Sequence, residues 1–184
     1  MPVSLFRSAE AIAYRSKNRL INLFDPPVVV LLYHRVTALP SDPQLLAVSP
    51  DNFRAHMQFL KNNFSVVRFE EDWVKVKKPA LAITFDDGYA DNAREALPIL
   101  EEMGMPATFF VSSGTIGTWQ EFWWDELEHL LRGDHSCPER FELVDHRIGK
   151  VWPTATAPER QMLFEELQPL MRNADAQRRE GWLR

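Results

Sequence analysis

Cysteine occurs once, at Cys137, so the chain can form no internal disulfide and offers no cysteine cluster for zinc held by thiolates. Glycine is sparse, with seven in 184 residues. No Gly-x-x-x-x-Gly-Lys loop is among them, and without it the usual cradle for phosphoryl transfer is missing. Positive charge is in deficit: 21 basic residues against 26 acidic ones leave a formal charge of -5. That balance gives no electrostatic reason to expect a nucleic acid partner, because phosphate backbones are met by basic patches. Long apolar runs are also lacking. The longest, Val28 to Tyr33, falls far short of the roughly 20 residues that span a bilayer, so no transmembrane segment is expected. Residues 1–27 carry Arg7, Arg15, Lys17 and Arg19 but no apolar stretch with a small-residue cleavage site. No secretory signal is readable, and the cytoplasm is the default expectation.

What is present suffices for one core, since apolar residues make up 45% of the chain. Leu5, Ile12, Leu20, Ile21 and Phe24 predict a helical N-terminal arm over 1–27 with one apolar side, which either covers the domain or lies on a membrane, the covering role being favoured. The unalternating Val28 to Tyr33 predicts a strand buried on both faces. Helical spacing follows from Ser49-Pro50-Asp51 with Phe53, Met57 and Leu60, then a short strand at Phe64 to Val67 and a short helix at Glu70 to Val76. Ala80 to Phe85 predicts a second buried strand. Ala90 to Met103 predicts a helix bent at Pro98 and stopped by Gly104, and Ala107 to Val111 a further strand. Strands alternating with helices imply parallel pairing through crossovers, in either a barrel or an open sheet. The rhythm changes near 118, which marks residues 118–156 as an inserted region. It contains a helix over Trp119 to Leu131 and two hairpin strands, Arg140 to Val144 and Arg147 to Trp152. A last helix over Ala157 to Ala174 packs through Met162, Leu167, Leu170 and Met171.

Chemistry concentrates in Thr84-Phe85-Asp86-Asp87-Gly88-Tyr89. An apolar strand ends in two adjacent carboxylates, at the strand end where βα folds gather active-site groups, and Gly88 permits a tight turn. Asp-Asp-Gly is also an ordinary turn sequence. His34, however, ends the Val28 to Tyr33 strand, so parallel strands would put it on the same rim as the aspartates.

These pieces, together with Tyr33-His34-Arg35-Val36, Asn92 and Pro106-Ala107-Thr108-Phe109-Phe110-Val111, resemble the polysaccharide deacetylase family. Phe122-Trp123-Trp124-Asp125-Glu126-Leu127-Glu128 resembles an insertion in a bacterial subgroup of it. The resemblance implies a distorted (β/α) barrel, incomplete in residues 28–184, that removes acetyl groups from sugars with a divalent metal, commonly zinc. It implies Asp86 as general base, Asp87 as metal ligand, Thr84 and Phe85 as supporting residues, and His34 and Tyr89 as pocket residues. The expected partner is an acetylated oligo- or polysaccharide, with N- and O-acetyl groups equally open.

Parts of the family pattern are missing, among them its later Arg-x-Pro-Tyr segment and the later strand that ends in a general-acid histidine. The family's two further metal ligands come from a His-x-x-x-His segment, and the histidines here are His34, His56, His129, His135 and His146, none so spaced. Catalytic zinc generally needs three protein ligands, so the resemblance implies a fragment that by itself holds no catalytic ion and is inactive. Its uncovered barrel edges would invite self-association. The alternative is a non-catalytic carbohydrate-binding or structural protein on the same scaffold, with Trp119, Trp123, Trp124 and Trp152 either stacking on sugars or packing in the fold.

Overall fold

The computed structural model describes Tyr14, Lys17, Asn22 and residues 25–133, 135–144 and 148–183. Most of the expected N-terminal arm lies outside these residues. The chain forms two compact units, residues 1–114 and 115–184.

In the first unit, β1 (Val28–Tyr33) lies along one side of β5 (Ala80–Phe85), parallel and in full register from Val28↔Ala80 to Tyr33↔Phe85. Between them in sequence come β2 (Arg35–Val36), β3 (Ala47–Val48), α1 (Pro50–Asn63) and β4 (Ser65–Val66). The other side of β5 is shared by β4 at its start and β6 (Thr108–Phe109) at its end, both parallel. The four expected strands are therefore neighbours, but the expected barrel is not there. Among the described residues no sheet closes or curls strongly. Closure needs a ladder in which the last strand returns to the first, whereas here β1, β4 and β6 each pair with β5 alone, and β2 pairs with β3 in a separate ribbon.

The central position of β5 explains its burial over all six residues. β1, with a partner on one side, leaves Val29, Val30 and Leu32 exposed, which corrects the expectation that it is buried on both faces. α1 begins where Ser49 Oγ accepts the Asn52 N–H (3.3 Å), and turns Phe53, Met57 and Leu60 onto the sheet. Phe85 is the hinge of the core, with Tyr33, Phe53 and Phe109 rings at 5.5, 5.8 and 4.7 Å. Burying each such ring is worth about 1.5–3 kcal/mol.

Two helical expectations change in detail. Glu70 to Val76 is reduced to a single 3-10 turn at Trp73–Lys75, capped by Asp72. The Ala90 to Met103 helix passes through a π turn, Asn92–Ala96, before α2 (Leu97–Met103). Pro98 gives the reason: it has no N–H to donate, and its ring crowds the carbonyl one turn back, so the backbone widens ahead of it. Gly104 (φ 61°) then ends α2 in the left-handed conformation.

The second unit consists of α3 (Trp123–Arg132), a hairpin of β7 (Arg140–Val144) and β8 (Gly149–Pro153), α4 (Ala157–Asn173) and α5 (Ala176–Leu183). α3 starts four residues later than expected, leaving Trp119 fully exposed. Thr156 and Glu159 form a reciprocal capping box at the start of α4. The core gathers Leu127, Leu131, Leu143, Trp152, Phe164 and Leu167, with Trp182 and Leu183 of α5 against it. Met162 and Leu170, expected to pack, face outward, and Leu163 and Phe164 fill the inner face instead.

Candidate active site

Because β1 and β5 run parallel with Tyr33 opposite Phe85, the residues that follow them leave the sheet at the same end. His34 and Asp86 therefore share a rim. The Asp86 N–H donates to the Tyr33 carbonyl at 3.0 Å, and the Phe110 N–H donates to the Phe85 carbonyl at 2.7 Å, which ties the turn to strands on both sides. Asp87 (φ 70°) and Gly88 (φ 78°) are both left-handed. Aspartate tolerates that conformation better than most residues, and glycine takes it freely. Gly88 is also confined by space: a Cβ there would meet Val111 Cγ1 at 2.7 Å. The requirement for glycine is thus double.

Asp86, Asp87 and His34 are all half-buried. Burial raises the Asp87 pKa above the usual aspartate value; the Asp86 carboxylate adds to the rise and the nearby His34 imidazole opposes it. Among the described residues neither carboxylate is engaged in an ion pair. Thr84 and Phe85 are buried in β5 beneath the turn. Tyr89, expected in the pocket, lies under the Arg35 guanidinium, 4.4 Å from ring centre to Cζ.

Sequence reasoning passed over Arg35 and Asp91 as site residues. Arg35 Nε donates to Asp91 Oδ2 at 2.9 Å, and the Val36 N–H donates to Asp91 Oδ1 at 2.9 Å. The only signal was a pair of opposite charges beside His34 and Asp87, and a separation of 56 residues removes any local periodicity that would link them. Asn92, next in the chain, is buried with neither side-chain polar atom hydrogen-bonded among the described residues.

Among the described residues no three His, Cys, Asp or Glu side chains are grouped to hold an ion. The tryptophans divide. Trp152 is buried with its Nε1 donating to Glu166 (2.9 Å), Trp123 packs against the second core, and Trp124 stacks on Phe122 at 4.6 Å.

Residues 74–138 match the profile of the polysaccharide deacetylase family. The chain is 31% identical over 124 residues to YxkH of Bacillus subtilis strain 168, whose polysaccharide deacetylase name is provisional; the match covers 64% of this chain and 42% of that protein. Among solved structures it is similar to BC0361, a polysaccharide deacetylase from Bacillus cereus, at 29% identity and TM-score 0.44 over 55% of this chain and 34% of that one. It is also similar to IcaB from Ammonifex degensii, at 28% identity and TM-score 0.45 over 76% and 64% of the two chains. Over residues 74–138 the chain is therefore similar to part of a polysaccharide deacetylase domain. It spans less than half the length of the Bacillus subtilis relative. Among the described residues no helix is long and apolar enough to cross a membrane.

Proposed function

We propose that the rim of His34, Asp86 and Asp87 is part of the active site of a carbohydrate deacetylase, a hydrolase that cleaves acetyl groups from N- or O-acetyl sugars of an oligo- or polysaccharide. The parallel register of β1 and β5, which delivers these three ionisable groups to one strand end, carries the reading. In it Asp86 takes a proton from water as the water adds to the acetyl carbon; the bond to the sugar nitrogen or oxygen then breaks, acetate leaves, and the sugar amine or hydroxyl takes up a proton. Asp87 is the carboxylate assigned to a divalent ion, zinc by family expectation, and His34 and Tyr89 border the substrate. The donor set in the described residues is too small for that ion. Residues 118–156 are proposed as an insertion within the domain.

The test compares residues 1–184 with the same gene extended through any downstream His-x-x-x-His codons. The short chain, supplied with zinc or cobalt, is expected to bind no stoichiometric ion and to release no acetate from N-acetylglucosamine oligomers, and the extended protein to do both. Acetate release by the short chain would overturn the incomplete-site reading, and inactivity of a folded, metal-loaded extended protein would overturn the deacetylase assignment. A non-catalytic carbohydrate-binding role is the second reading, favoured by the small donor set and by the fully exposed Trp119. It requires saturable heat on titration with chito-oligosaccharides, lost in Trp119→Ala.

A further inference from the structure

We infer that Asp91 is a positioning residue that holds His34 against the aspartate turn. This rests on the reading of that rim as an active site. His34 stands at the break between two strands that belong to different sheets, β1 beside β5 and β2 beside β3. A residue at such a junction has no ladder of its own to set its direction. The residues after it are held by the β3 ladder, where the Arg35 N–H donates to the Leu46 carbonyl at 3.1 Å, and by one side chain from elsewhere in the fold: Asp91 accepts the Val36 N–H through one oxygen and the Arg35 guanidinium through the other, both at 2.9 Å. Asp91 is four residues beyond Asp87 and immediately ahead of the π turn, so the same short segment carries the turn and the clasp on β2. Arg35 is in turn pressed on the Tyr89 ring at 4.4 Å, which restrains the guanidinium and closes a loop of contacts from Asp91 through Arg35 to Tyr89. The side chains of Arg35 and Asp91 are only 23% and 12% exposed, so water screens their pairing poorly and the bond is charge-assisted. His34 is thereby kept at the strand end that it shares with Asp86 and Asp87.

The experiment reads position before activity. In residues 1–184, carbethoxylation of His34 by diethyl pyrocarbonate is followed by peptide mass spectrometry, and amide exchange of Val36 and of the β5 residues Ala82 and Ile83 by NMR. Asp91→Ala is expected to raise the His34 labelling rate and Val36 exchange about tenfold, the size set by losing a hydrogen bond to a charged group, with β5 exchange unchanged. Asp91→Asn, which keeps an acceptor for Val36, falls between Asp91→Ala and the parent, as does Arg35→Lys. Unchanged His34 labelling in Asp91→Ala, or His34 and β5 rates rising together as in general loosening, would overturn the inference. In the extended protein, Asp91→Ala is expected to lower kcat for acetate release about tenfold with KM little changed. Absence of acetate release from the extended parent would strike the proposed activity, whereas the role of Asp91 in holding His34 stands or falls on the labelling and exchange rates.

Discussion

Glu166 and Asp87 show how differently the two units use a carboxylate. Glu166, in the second unit, accepts from Lys150 and from the Trp152 indole, and those hydrogen bonds hold its pKa below the usual glutamate value. It fastens α4 to the hairpin. Asp87, in the first unit, is pushed the other way by burial and by the neighbouring Asp86 charge, with His34 alone opposing. One carboxylate is consumed by the fold, and the other is held at some cost to it. Sites that do chemistry are where such a cost is tolerated.

The largest expected effects test the cores that support the two groups. Phe85→Ala under the turn and Phe164→Ala in the second unit, both almost fully buried, should each cost about 3–5 kcal/mol in urea denaturation. A loss below about 1 kcal/mol for Phe85→Ala would show that the aromatic stack is not what carries the turn. Gly88→Ala comes next, at about 2–3 kcal/mol, because it combines positive φ with a clash on Val111. Thr156→Ala, which removes one half of the capping box, should cost about 1 kcal/mol.

The smallest effects bear directly on the two carboxylates and have opposite signs. Glu166 has a folded pKa below its unfolded one, so its stabilising contribution is complete above the unfolded pKa and is lost as pH falls through the folded pKa. Asp87 has a folded pKa above its unfolded one. Its favourable contribution is complete below the unfolded pKa and is lost as pH rises through the folded pKa, which leaves a penalty at neutral pH. Glu166→Gln should therefore lower stability at neutral pH and flatten its acid decline. Asp87→Asn, which also suits the left-handed turn, should raise stability slightly at neutral pH. Thermal melts from neutral pH down through the carboxylate range check both, and two shifts of the same sign would end the contrast.

Local pattern was most legible where spacing and end signals agree. Ser49-Pro50 with Phe53, Met57 and Leu60 announced α1, and the last helix was expected from Ala157, where α4 begins. Asp86-Asp87-Gly88 announced a turn at the end of a buried strand, and the positive φ of Asp87 and Gly88 is its backbone form. Illegible were features created by distant partners. Nothing in Arg35 or Asp91 alone shows that they meet, and the outward faces of Met162 and Leu170 depend on how α4 rolls against the hairpin.

Residue order alone determined most of the longer elements, the parallel pairing implied by alternating strands and helices, and the family motif, because these rest on backbone propensity and on side chains close in sequence. Tertiary structure decided the rest. Val28 to Tyr33 and Ala80 to Phe85 are both apolar six-residue strands, yet one is half exposed and the other fully buried. Burial depends on how many neighbours a strand acquires, and that number is not written in the strand. The same reason separates an open sheet from a barrel: closure is a property of the whole ladder. It also explains why the rim of His34, Asp86 and Asp87 exists at all, since only the register of two strands separated by 46 residues of intervening chain brings those three side chains to one end.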